Sequence, residues 1–277
     1  MAAHPKYAEQ SDARLPDIRD LGLDEIREVV EAGGERSFRA GQLAARLYQQ
    51  GIESFDAMPD LPKSFREYLK CHFRIGSTET ATVAHSSDDT RKLLIRLADG
   101  EAIESVIIPS REVEATLSGN RINQRITLCM SSQAGCAMAC EFCATARMGL
   151  HRNLTVAEII SQVFLARREL RADEHLTNYV FMGMGEPLAN YPRLIKALSI
   201  MTSEWGMGIS PRRITVSTVG IVPMMERLLS EIPVRIAVSL HATTNELRDR
   251  LAPINKRYPL EVLLDACKRL PLKQRER

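Results

Sequence analysis

Apolar residues recur at helical spacing early in the chain: Ala40, Leu43, Ala44, Leu47 and Tyr48 fall at i, i+3, i+4, i+7 and i+8 and so share one helix face. Ser37 stands where an N-cap belongs. A second helix is predicted from Ser64, where Glu67 three residues on completes a capping-box pattern and Phe65, Tyr68 and Leu69 form an apolar patch. Pro59 and Pro62 punctuate the link between the two. Residues 1–77 therefore read as a small helical module, and their composition asks for packing rather than chemistry.

From Thr78 the period changes to two and β-branched residues take over. Thr80, Thr82 and Val83 lead into the turn-rich Ser86-Ser87-Asp88-Asp89, then Leu93 to Leu97, the turn pair Asp99-Gly100, and Ile103 to Ile108. This predicts a β-meander within residues 78–123. Beyond Asn123 strand and helix patterns alternate, which predicts a parallel sheet with crossover helices. Strands are expected at Arg125–Met130, Tyr179–Met182, Arg213–Ser217 and Val234–Leu240. Helices are expected after Thr155, which forms a capping box with Glu158, and at Leu194–Met201, Met224–Leu229 and Leu260–Leu270. Four βα units in residues 124–277 are too few for a closed eight-stranded barrel, so the expected fold is α/β, a partial and open parallel (βα) barrel. Its last strand needs a partner or a cover.

Composition narrows the class only slightly. Apolar residues make up 44% and charged residues 26%, with a net charge of +2, an ordinary globular balance that leaves nucleic-acid binding open. No leader-like apolar run follows Met1, no stretch approaches 18 apolar residues, and six cysteines are too sparse for a disulfide framework. A soluble cytoplasmic protein with no membrane contact is expected.

The cysteines carry the chemistry. Cys136, Cys140 and Cys143 form a C-x3-C-x2-C run just after the first parallel strand, supplying three thiolates and no fourth. A closed structural zinc site takes four ligands, whereas a four-iron cluster on three thiolates leaves one iron open. Each strand end also carries residues unusual for a simple connection: Met182-Gly-Met-Gly185-Glu186-Pro187, Ser217-Thr218 and Ser239-Leu240-His241. Singly, Ser217 and Ser239 suit ordinary strand-end backbone bonding and His241 an ordinary loop. Their coincidence at one rim of a parallel sheet points to a shared pocket.

These motifs, with Cys129-Met-Ser-Ser-Gln-Ala-Gly-Cys136, Arg152-Asn-Leu-Thr155 and Pro253-Ile-Asn-Lys256, resemble the radical S-adenosylmethionine (SAM) superfamily and, more narrowly, its RlmN/Cfr group of RNA adenosine methyltransferases. The resemblance spans essentially the whole chain. It implies a [4Fe-4S] cluster on Cys136, Cys140 and Cys143, and a SAM site from Gly185, Glu186, Ser217, Ser239, Leu240 and His241. It further implies a low-potential flavodoxin- or ferredoxin-type electron donor, and 23S rRNA, with tRNA as a possible second substrate, methylated at adenosine C2. In this group a methyl-carrying cysteine receives the methyl group first and a second cysteine releases the product. Cys129 matches the releasing cysteine and Glu104 the proton acceptor, although a core thiol and a solvent-facing strand carboxylate are their ordinary alternatives.

The group's pattern continues beyond Arg277 with the methyl carrier and an asparagine for SAM. Two readings follow: a methyltransferase that acts with a separately encoded C-terminal fragment or is named from its motifs, or a shortened member that binds the cluster and SAM without transferring methyl. Cys267, in a helical pattern with Leu263, Leu264, Ala266 and Leu270, is expected to be buried rather than to substitute as the carrier.

Overall fold

The computed structural model describes residues 15–76, 78–110 and 125–271. The connector containing Arg111 and Gly119, read from the sequence as an enlarged loop, lies outside them. Helices α1 (Leu23–Ala32), α2 (Arg39–Ala44) and α3 (Lys63–His72) build the first unit, with α2 continuing into a π-helical turn at Ala45–Gln49. The five residues placed on one face by their spacing are all buried. The two predicted caps differ from the structure. Pro62 occupies the N-cap of α3, so Ser64 lies inside the helix; Phe38, already helical in backbone, precedes α2 without a side-chain cap. Pro62 lacks a donor and presets the chain to enter α3 two residues earlier than the capping-box spacing suggests.

Strands β1 (Glu79–His85), β2 (Arg91–Arg96) and β3 (Ala102–Pro109) form the meander, turning at Gly100 with φ +90°. They continue directly into the parallel strands β4 (Ile126–Cys129), β7 (Asn178–Phe181), β8 (Ile214–Thr218) and β9 (Arg235–Val238), separated in the chain by a short hairpin of β5 (Gln133–Gly135) and β6 (Leu150–Asn153). The resulting seven-stranded sheet has the order β1-β2-β3-β4-β7-β8-β9. Pairing is antiparallel through β3–β4 and parallel from β4 onward. It is an open, mixed sheet, and among the described residues β9 pairs only with β8.

After α4 (Ala144–Arg147), helix α5 (Val156–Arg168) opens with the predicted Thr155–Glu158 capping box. It is buried on all sides from Val156 to Ala166, because the sheet covers one face and the helical module the other. Asp20 Oδ1 accepts from Ala157 N at 2.8 Å, and the Arg19 guanidinium lies 4.4 Å from the Phe164 ring centre. Helices α6 (Tyr191–Thr202), α7 (Val222–Glu231), α8 (Asn245–Leu251) and α9 (Leu260–Arg269) complete the chain. In α9, Leu263, Ala266 and Leu270 are buried and Cys267 packs half-buried against the core, while Leu264 faces solvent at 45% exposed. Among the described residues no helix is long and apolar enough to cross a membrane.

Candidate functional site: a cysteine-lined cavity at the strand ends

The loops after β4, β7, β8 and β9 converge because all four strands run the same way, so their C-terminal ends share one rim. A cavity of about 320 Å³ opens there, and Cys136, Cys140, Cys143, Gly185, Glu186, Ser217 and Ser239 all line it. A wider groove of about 860 Å³, lined by Lys70, Cys71 and Arg74 on the helical module, contains none of the expected site residues.

The cysteine loop is held at its base by the β5–β6 hairpin. Gly135 adopts φ +76°, and a Cβ there would lie 1.9 Å from the Gly149 carbonyl oxygen, so only glycine closes this contact. Arg152 on β6 makes a bidentate pair with Glu158, at 2.8 and 2.9 Å, and also bonds Asp99 at the meander turn.

Beside the cysteines, the Gly183–Glu186 loop is bonded to the chain following β4. Ser132 N and Gln133 N donate to Met184 O at 2.8 and 3.2 Å, Gly183 N to Met130 O at 3.0 Å, and Glu186 N to Gln133 Oε1 at 2.8 Å. Gly185, at φ +96°, allows the approach: a Cβ would sit 2.5 Å from that of Gln133. The Glu186 carboxylate is buried and accepts from Leu188 N at 3.1 Å and Val219 N at 2.8 Å. Burial pushes its pKa up, and the Val219 N–H, the Thr218 hydroxyl and the Leu188 N–H oppose that rise. Three donors occupy three of the four lone-pair positions of the carboxylate, so one remains to receive an ammonium group.

Two expected residues, Leu240 and His241, are not among those that line the cavity. Leu240 offers its carbonyl to Arg248, and exposed His241, at φ +58°, lies against Phe142 with ring centres 4.1 Å apart and the rings tilted by 49°. Phe142 itself lines the cavity and is 50% exposed. Cys129 and Glu104 lie on the neighbouring sheet surface rather than in the cavity wall. Val106 is paired opposite Cys129, which places Cys129 on the same sheet face as Glu104, two residues from Val106. Cys129 is buried, accepts from the Met182 backbone and is pushed up to about 11 by burial. Glu104 is ion-paired with Lys92 at 2.8 Å and is partly exposed.

The donor set fits an iron–sulfur cluster better than a mononuclear metal. Among the described residues no three His, Cys, Asp or Glu side chains converge to hold a single ion. Three neighbouring thiols lining one cavity suit a polynuclear centre in which each thiolate takes a different iron. Burial raises the Cys136 and Cys140 thiols, Cys140 to about 11, and neighbouring thiols oppose ionisation further. A bound cationic centre would reverse that balance by coordinating them as thiolates.

Comparison with known proteins defines first the class and then the family. The model of the radical SAM superfamily matches residues 130–273, and that of the ribosomal RNA large subunit methyltransferase N-terminal domain matches residues 16–75. The crystal structure of a radical SAM methyltransferase from Sphaerobacter thermophilus superposes with a TM-score of 0.82 at 41% identity, covering 92% of this chain and 72% of that one. A dual-specificity RNA methyltransferase RlmN of Geobacter sulfurreducens is 49% identical over 261 residues, 94% of this chain and 68% of the relative. RlmN 2 of Myxococcus xanthus is 46% identical over 272 residues, 96% of this chain and 69% of the relative. The chain belongs to the RlmN family of radical SAM enzymes.

Proposed function

We propose that this protein is a cytoplasmic radical SAM RNA methyltransferase acting at adenosine C2 of 23S rRNA and tRNA. The observation that carries the reading is the convergence of Cys136, Cys140 and Cys143 with Gly185, Glu186, Ser217 and Ser239 on one cavity. Cys136, Cys140 and Cys143 would hold the [4Fe-4S] cluster, which when reduced by an external flavodoxin- or ferredoxin-type donor supplies homolytic cleavage of SAM. Glu186 and the Gly185 backbone are suited to the methionyl ammonium, and the Ser217 and Ser239 hydroxyls to polar groups farther along SAM. Phe142 provides an apolar surface at the cavity mouth. Cys129 is proposed to release the product, and Glu104 to accept the C2 proton once displaced from Lys92.

Anaerobic incubation of the reconstituted protein with SAM, reductant and 23S rRNA tests this. The proposal expects 5′-deoxyadenosine from this chain, and 2-methyladenosine when a C-terminal fragment bearing the family's methyl-carrying cysteine is added, both read by mass spectrometry. Deoxyadenosine without 2-methyladenosine even with that fragment would instead support a member that binds and cleaves SAM without methyl transfer.

A further inference from the structure

Arg248 is fully buried, yet no carboxylate lies within ion-pair distance of it among the described residues. The contrast is with Arg91, paired to Glu174 at 2.8 Å, and Arg152, paired to Glu158. The donors of Arg248 go to neutral acceptors: Nε to Leu240 O at 3.1 Å, Nη1 to Asn255 Oδ1 at 2.9 Å, and Nη2 to Val219 O at 2.7 Å. Asp249 attracts the guanidinium from beyond ion-pair distance while its Oδ1 accepts from Asn255 Nδ2 at 2.7 Å, so a buried cation with no direct ion pair calls for further compensation.

That compensation lies toward the cavity. Val219 is held on both sides, its N–H by the Glu186 carboxylate and its carbonyl by Arg248. Its side chain packs with Cys140 and Ala252, with Cys143 against the same cluster. Glu141, between the ligand cysteines, donates its N–H at 3.0 Å to Leu251 O, the last residue of the helix that carries Arg248. The guanidinium therefore stands one residue behind the wall in which the thiols meet.

Resting on the cluster-binding reading above, we propose that Arg248 is the fixed counter-charge of this cavity, a positioning residue that favours the reduced state of the iron–sulfur cluster. Reduction by one electron, from dithionite in the test, makes and breaks no bond and adds one negative charge to a cavity that already holds three thiolates. A nearby positive charge raises the reduction potential.

The test is the midpoint potential of anaerobically reconstituted protein, followed by electron paramagnetic resonance, for the native chain, Arg248→Gln and Arg248→Lys. Arg248→Gln is expected to lower the reduced-to-oxidised ratio at fixed potential at least tenfold, about 59 mV for one electron. Arg248→Lys, which keeps a cation, should restore most of that shift. A native potential in Arg248→Gln, or equal displacement in both variants, overturns the proposal and leaves Arg248 a loop brace only. Should Arg248→Gln fail to retain a cluster, Arg248→Lys decides alone: a native-like potential supports the counter-charge and a tenfold shift overturns it. Absence of a cluster from the native chain would overturn the site reading itself.

Discussion

Gln162 closes both backbone hydrogen bonds of Ser131: its Nε2 donates to Ser131 O at 2.9 Å and its Oε1 accepts from Ser131 N at 2.7 Å. The same Oε1 accepts from the Ser105 hydroxyl at 2.6 Å. The Ser131 hydroxyl in turn donates to Glu104 O at 2.6 Å and accepts from Met184 N at 2.8 Å. One buried amide thus fixes the meander strand bearing Glu104 against the Gly183–Glu186 loop.

Replacing Gln162 with leucine preserves approximate volume but leaves the Ser131 N–H and carbonyl and the Ser105 hydroxyl unpaired in the interior. A loss of about 3 kcal/mol in urea unfolding is expected, with SAM affinity falling at least tenfold by calorimetry. Unchanged SAM binding would show that this network does not hold the loop.

Gly185→Ala tests the loop from its other side. Positive φ costs about 1–3 kcal/mol for alanine, and the added carbon meets Gln133, whose side chain holds Glu186 N. SAM binding should fall more than tenfold. Gly100→Ala is the control: φ is +90° but the added carbon meets nothing within 4 Å, so it should lose stability while keeping SAM affinity.

Much of this arrangement was legible in the sequence, because strand-end glycines, serines and the cysteine run follow one another at βα intervals, and Thr155 with Glu158 carries its capping signal within four residues. The β5–β6 hairpin was not, since strands of three and four residues show no period. Helix α8 was also missed: Asn-Glu-Leu-Arg-Asp-Arg-Leu has no apolar stripe, and its buried face is made by the Arg248 side chain. Likewise, spacing could not reveal that Glu186 and Arg248 grip opposite sides of residue 219, because only the closed fold brings α8 beneath the β8 loop.

Asp17 makes folding pH-dependent. Its carboxyl is buried, with Oδ1 accepting from Arg19 N and Oδ2 without a partner, and burial pushes it up to about 6 from 3.8. Because the folded pKa is raised, the contribution of Asp17 is greatest below 3.8 and is lost as pH rises through about 6. Asp17→Asn keeps an acceptor without the charge. Its stability relative to the native chain should therefore improve by about 3 kcal/mol between roughly pH 4 and pH 7. A pH-independent difference in urea unfolding would contradict this.

The central claim is tested most directly by iron and sulfide content with the visible absorbance of anaerobically reconstituted protein. About four irons and four sulfides per chain are predicted for the native sequence, with loss of both when Cys136, Cys140 and Cys143 are all replaced by alanine. Retention of the cluster by that triple variant would contradict the assignment.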